Sequence, residues 1–167
     1  GVKAALDAFW ADGSPVQAAY ASMWDRVAKR YAHTPGVVGF EVINEPGWGT
    51  QDLDAFEATT LTAFYSAMVA RIHATAPDAL VFVDPTGPDA GISSTKLGRP
   101  AGDGIVFAPH YYQLGALGGG GGNADAVKLA LTKWNNQARG WDTPVLLGEF
   151  GTFNTVADPV GYMTAHF

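Results

Sequence analysis

The chain has 167 residues, 47% of them hydrophobic and 16% charged, enough for one domain with a real core and unlike a disordered segment. A net charge of −6, a pI near 4.9 and the lack of any basic run argue against a nucleic-acid partner, since phosphate backbones are bound by clustered Lys and Arg. No stretch approaches ~18 unbroken apolar residues, so no membrane span is expected, and zero cysteines exclude a disulfide scaffold and thiolate metal sites.

In chain order, Ser14-Pro15-Val16-Gln17 reads as an N-cap, a first-turn proline and a capping-box glutamine. Val16, Tyr20, Met23, Val27 and Tyr31 follow at helical spacing, and the helix is expected to end near His33. A strand is predicted over Val37 to Asn44, then a second helix from about Asp52 to Ala76 with the stripe Leu53, Phe56, Leu61, Phe64, Met68 and Ile72. Asp52 and Asp54 suit its first turn, Arg71 and His73 its last, and Pro77 lies just past its end.

The second predicted strand is Ala79 to Pro85. From Thr86 to Asp103, glycine, proline and serine signal a loop without a helix. A third strand is predicted over Gly104 to Tyr112, leading to five successive glycines, Gly118 to Gly122. That run lacks the Gly-Lys-Ser/Thr ending of a phosphate loop and reads as a flexible connection. A third helix, Ala124 to Arg139, carries Val127, Leu131, Trp134 and Ala138 on one face and stops at Gly140. Pro144 to Phe150 is the fourth strand. The chain stops at Phe167 inside a helix begun after Asp158-Pro159 and opens at Gly1, so both ends are expected to be cuts in a longer sequence.

Near-continuous apolar strands alternating with amphipathic helices imply an α/β fold of parallel strands joined by right-handed crossovers. An open doubly wound sheet and a β/α barrel both fit that pattern. A closed barrel needs eight units and about 250 residues, so four strands would make about half of one. The position of the polar residues favours the barrel, whose chemistry sits at the C-terminal ends of its strands. The first strand ends Asn44-Glu45-Pro46, the third His110-Tyr111-Tyr112 and the fourth Glu149-Phe150-Gly151.

Together, "GFEVINEP", "PHYY" and "LLGEFG", in that order at successive strand ends, resemble glycoside hydrolase family 5. These are retaining β-glycosidases that include cellulases, mannanases and endoglycoceramidases. The resemblance implies a (β/α)8 TIM barrel, of which this chain supplies roughly the fourth to seventh βα units. It implies that Glu45 is the general acid/base and Glu149 the nucleophile. It further implies that Asn44 binds the sugar 2-hydroxyl, that His110 contacts substrate, and that Tyr112 hydrogen-bonds the nucleophile. The first three strands and the eighth, with the arginine, histidine and tryptophan they bring in that family, lie outside the chain.

The chemistry stands beside the resemblance. Retaining cleavage of a glycosidic bond needs one carboxylate to attack the anomeric carbon and one carboxylic acid to protonate the leaving oxygen, about 5 to 5.5 Å apart. Gly148 and Gly151, flanking Glu149, would leave room for a sugar ring, and Trp48 suits either a sugar-stacking platform or packing. Each residue also has an ordinary reading: Glu45 as a charge near the next helix N-terminus, Glu149 as a solvated strand end, His110 and Tyr112 as core groups. Glu41 is expected to be a buried partner for an arginine. Four scattered histidines give no zinc motif, and the two-carboxylate chemistry calls for no metal or cofactor.

The expected function is therefore hydrolysis of an oligosaccharide or glycoconjugate by two glutamates. The alternatives are a non-catalytic carbohydrate-binding half barrel and an unrelated doubly wound binding protein. A half barrel exposes sheet edges, so the chain is expected to associate with a second copy or with the missing part of the barrel.

Overall fold

A computed structural model describes residues 1–117, 122–152 and 156–167. Most of the glycine run, 118–121, lies outside the described residues. Its last member, Gly122, packs so closely on the Tyr162 ring that no side chain would fit there.

Helix α1 (Val2–Trp10) is an element the sequence reading did not anticipate. Leu6, Phe9 and Trp10 turn it onto the core, where the Trp10 ring meets Phe56 and Phe64 edge-on at 5.0 and 5.2 Å. Helix α2 (Pro15–Tyr31) begins as expected, with Ser14 Oγ accepting the Gln17 N–H at 3.3 Å. The capping box is half made, because the Gln17 amide reaches back to the Phe9 carbonyl instead.

The helix expected over 52–76 is three segments: α3 (Leu53–Ala55), a π-helical stretch (Phe56–Leu61) and α4 (Thr62–His73). Asp52 is the N-cap and accepts the Ala55 N–H at 2.9 Å. The π stretch follows from the apolar stripe. Phe56 and Leu61 are five residues apart, a spacing that an i→i+5 turn places on one face and an α-turn does not. Both are fully buried, and the extra residue also turns Glu57 inward.

Strands β1 (Gly39–Glu41), β2 (Leu80–Val83) and β3 (Ile105–Phe107) form a parallel sheet in the order β1-β2-β3. Strand β4 (His110–Tyr111) pairs in parallel with β5 (Glu149–Phe150), and a Phe107–Val145 bridge continues β3 onto the last strand. The third predicted strand is thus interrupted at Ala108 and Pro109, where proline cannot donate to a ladder. All the strands observed are shorter than predicted. Strand order that follows chain order, with every pairing parallel, is that of a β/α barrel sector. A doubly wound sheet reverses its order at a switch point.

Residues alternate across each strand. Phe40, Val42, Val81, Val83, Ile105 and Phe107 join the main core with α1, α2 and α4. A second core holds Tyr111, Val127 and Ala130 with Tyr162. These last two come from helices α7 (Ala124–Gly140) and α8 (Pro159–Thr164). Two short helices complete the chain, α5 (Gly87–Ile92) and α6 (Leu114–Leu117). Helix α5 lies within the stretch read as helix-free. Pro88 in its first turn and Asp89 behind it are helix-start signals among the loop residues.

The expectation for Glu41 is overturned. It is exposed, and no arginine pairs with it among the described residues. Period two turns it away from Phe40 and Val42, onto the sheet face opposite the helices, where its carboxylate lies within 4.8 Å of Asp84 and His110.

Candidate active site

The register of the last two strands assembles the site. His110 and Glu149 are direct partners across the β4–β5 pair. Tyr112, two residues beyond His110, donates its hydroxyl to Glu149 Oε2 at 2.9 Å. His110 is 1% exposed, and its Nδ1 lies 3.0 Å from Glu45 Oε1 and 3.6 Å from Glu149 Oε2. One oxygen of each glutamate and a nitrogen of His110 all lie within 4.8 Å of one another. Glu45 and Glu149 therefore open onto one space, although they are separated by more than a hundred residues of chain.

Glu45 is held in an unusual backbone conformation. Its φ is 41°, in the left-handed region that costs an ordinary residue about 1–3 kcal/mol. The turn is held by its own N–H, donated to Asp84 Oδ2 at 2.8 Å. Asp84, just after β2, is 1% exposed. Tyr65 of α4 holds the Asp84 backbone from behind, donating to its carbonyl at 2.7 Å and accepting its N–H at 3.2 Å. Burial first, then the charges of Glu41, Glu45 and Glu149, push the Asp84 carboxyl up to about 8, against the opposing hydrogen bond from Glu45. Sequence reading passed over Asp84 as part of a strand; a lone acid after the apolar run Ala79 to Val83 was its one signal.

An open cleft of about 360 Å³ is lined by Glu45, Gly87, Ala90, Gly91, Tyr112 and Glu149, among others. Helix α5 forms one wall and is tied to the strand by the Tyr112 N–H, which donates to the Ala90 carbonyl at 3.2 Å. The wall has its own anchor. Glu57 is 1% exposed and accepts the Thr86 N–H at 3.0 Å, the Lys96 N–H at 2.7 Å and the Thr95 hydroxyl at 2.5 Å. It thereby pins both ends of the segment that contains α5. Burial raises its pKa, but the hydrogen bonds from Asp89, Thr95, Thr86 and Lys96 outweigh that and lower it. Asp89 is pushed up to about 8 by burial and by Glu57, and is the proton-bearing partner of this pair. Neither residue was singled out from sequence. A larger groove of about 640 Å³, lined by Trp10, Gln17, Phe64 and Met68, brings no two carboxylates together.

The remaining sequence candidates lie as follows. Asn44 is exposed and hydrogen-bonds to no described residue. Trp48 is half-buried, packs on the main core and does not line the cleft, which favours its packing reading. The space at Gly148 is filled by the protein itself: a side chain there would come within 3.1 Å of the His110 ring. At Gly151 it would come 3.4 Å from Tyr112. Gly148 therefore makes room for the His110 ring, whereas a side chain at Gly151 would meet Tyr112 only at ordinary contact distance. Two groupings among the described residues could hold a metal ion, Glu45–His110–Glu149 and Glu41–Asp84–His110, and both depend on His110.

Residues 6–164 match the family model for cellulase (glycosyl hydrolase family 5). No match to a curated protein sequence is found. Among solved structures, endo-glycoceramidase II from Rhodococcus sp., in a complex with a cellobiose-like isofagomine, is 31% identical with a TM-score of 0.80, over 98% of this chain and 40% of that one. The same protein as a lactosyl-enzyme intermediate aligns at 28% identity and a TM-score of 0.78, over 99% and 40% of the two chains. An endogalactoceramidase aligns at 26% identity and a TM-score of 0.78, over 92% and 34%. An endoglucanase at 18% identity and a TM-score of 0.71, over 88% and 52%, is alike in fold. The chain thus spans between 34% and 40% of the length of these glycoceramidases, and the match over nearly all of its own residues makes it a member of glycosyl hydrolase family 5, folded as part of a TIM barrel.

Proposed function

We propose that this chain carries the catalytic centre of a retaining β-glycosidase and corresponds to the fourth to seventh βα units of its barrel. Glu149 is the nucleophile that attacks the anomeric carbon. Glu45 is the acid that protonates the leaving oxygen and then the base that activates water for the second displacement. The observation that carries this reading is the convergence of the two glutamates, with oxygens inside 4.8 Å. That suits the about 5 to 5.5 Å of a retaining pair and falls short of the about 6.5–9.5 Å that an inverting pair needs to admit water.

The surrounding residues fit these roles. Tyr112 holds Glu149 Oε2 at 2.9 Å and so orients the attacking carboxylate. His110 touches both carboxylates from below the cleft. Asn44, exposed beside Glu45, is free to meet a sugar hydroxyl. The lactosyl-enzyme intermediate of the Rhodococcus relative supports a covalent route. The glycoceramidase relatives favour a β-linked oligosaccharide on a lipid-like aglycone as the substrate, with β-glucans as the second class to assay.

The test is the stereochemistry of the first-formed product. Proton NMR of the full-length protein acting on an aryl β-lactoside or β-cellobioside is expected to show the β-anomer before mutarotation. An α-anomer would overturn the double displacement.

A further inference from the structure

Asp84 is an acid of the site that is only 1% exposed, and it has no part in the two-glutamate chemistry. It stands on the inner sheet face between two groups that have such a part. Its Oδ2 accepts the Glu45 N–H at 2.8 Å and lies 3.5 Å from His110 Nε2. That nitrogen is buried and makes no hydrogen bond among the described residues, and Asp84 Oδ2 is a polar atom that faces it. On the far side of the same ring, Nδ1 faces Glu45 Oε1 at 3.0 Å. The two oxygens of Glu45 are thereby made unequal. Oε1 meets the imidazole, while Oε2 turns towards Gly87, where an added side chain would approach it to 3.1 Å, and Gly87 lines the cleft.

We propose that Asp84 is a positioning residue for the acid/base: by donating to His110 Nε2 it holds the imidazole as the Nδ1–H tautomer, whose N–H is donated to Glu45 Oε1. The acidic proton of Glu45 is then left on Oε2, the oxygen that faces the cleft. The inference rests on the reading of Glu45 as the acid/base. An imidazole has one donor and one acceptor nitrogen when neutral, so the group beside one nitrogen decides the role of the other. The titratable groups that face Asp84 are Glu41 from β1, Glu45 from the turn after it, His110 from β4, Glu149 from β5 and Tyr65 from α4. Burial and the acidic neighbours keep the Asp84 carboxyl protonated up to about pH 8, which supplies the donor. Above that pH the proton leaves Asp84, and the ring turns to the Nε2–H form, donating to the new carboxylate. Nδ1 becomes an acceptor and no longer donates to Glu45 Oε1, so the distinction between the two oxygens of Glu45 is lost.

The tautomer is read directly from imidazole nitrogen shifts in the 15N-labelled full-length protein, without reference to turnover. The expected result is a protonated Nδ1 and a bare Nε2 at pH 7, crossing to the reverse as pH passes about 8. In Asp84→Asn, whose amide donates at every pH, Nδ1–H is expected throughout. A neutral ring in the Nε2–H form in the wild type at pH 7, or a crossing unaltered in Asp84→Asn, would overturn the proposal. In kinetics, Asp84→Leu is expected to lose at least tenfold in kcat/KM on aryl glycosides with poor leaving groups and little on those with good ones. Asp84→Asn is expected to recover most of that loss. An equal loss on both substrate classes, with no recovery in Asp84→Asn, would mark a merely structural role. Glu45→Gln separates the two levels: leaving-group dependence there but not in Asp84→Leu defeats the proposal alone, and none in Glu45→Gln defeats the acid/base reading beneath it.

Discussion

Tyr112 and Glu149 are joined by a 2.9 Å hydrogen bond across neighbouring strands, with the phenol as donor. Burial, then the hydrogen bond to Glu149 and the charges of Glu149 and Glu45, raise the pKa of Tyr112, so it remains a donor through neutral and mildly alkaline pH. Replacing it with Phe removes a hydrogen bond to a charged group, worth about 1.5–3 kcal/mol. Tyr112→Phe is expected to lower kcat/KM by roughly 10- to 150-fold. The loss should be similar for good and poor leaving groups if, as proposed, the bond serves the nucleophile. Steady-state kinetics on an aryl glycoside series checks this.

The two glutamates are expected to fail differently. Glu149→Gln abolishes turnover on every substrate, because an amide cannot attack the anomeric carbon. Glu45→Gln spares substrates with good leaving groups and loses roughly 10²- to 10⁴-fold on poor ones, the usual range for a general acid. Wild-type activity in Glu149→Gln would remove it from the mechanism.

The Glu57–Asp89 pair predicts a pH dependence of stability. Asp89 has its pKa raised to about 8 in the folded protein, so between its unfolded value near 3.8 and about 8 the native state binds the extra proton. Its contribution therefore falls as pH rises through that window. Asp89→Asn keeps a donor towards Glu57 and removes the titration. It is expected to raise stability at pH 7 relative to wild type and to leave it little changed at pH 4. Urea melts at the two pH values decide it. Glu57→Leu strands the buried N–H of Thr86, at about 1–3 kcal/mol, and also removes the acceptor of the part-buried Lys96 N–H.

The 167-residue chain alone is expected to associate. Strands β1 and β5 lie at the two ends of the strand order. Val38 is 69% exposed and Leu146 51% exposed beside them. Light scattering should give a mass above that of one chain, and hydrolysis by the monomer should be weak. Orientation of substrate by surrounding groups is worth about 7 to 11 kcal/mol of a barrier. A stable monomer with full activity would contradict both expectations.

The residues that carry the site were legible in sequence because strand ends are poor places for acids without a purpose. Glu45, His110, Tyr112 and Glu149 stood out there, and strand register brings them together. What was missed depends on depth, which a one-dimensional pattern does not record. Glu41 and Asp84 share the inner sheet face, yet one is exposed and the other buried behind Glu45 and His110. Glu57 was hidden within an otherwise helical stretch, although the five-residue step from Phe56 to Leu61 already broke the α-helical period. Helix α5 was masked by composition: glycine, proline and aspartate at a helix start are the same residues that make a turn. Trp48 was ambiguous for the opposite reason, since an aromatic beside a site suits core and sugar equally.

Covalent trapping tests the central claim most directly. Incubating the full-length protein with an activated 2-deoxy-2-fluoro β-glycoside slows the second displacement and accumulates the glycosyl-enzyme. Digestion and mass spectrometry are expected to place the fluorosugar on the peptide that contains Glu149, through an ester that Glu149→Gln cannot form. A label on Glu45, or rapid turnover with no ester at all, would contradict the assignment of Glu149 as the nucleophile.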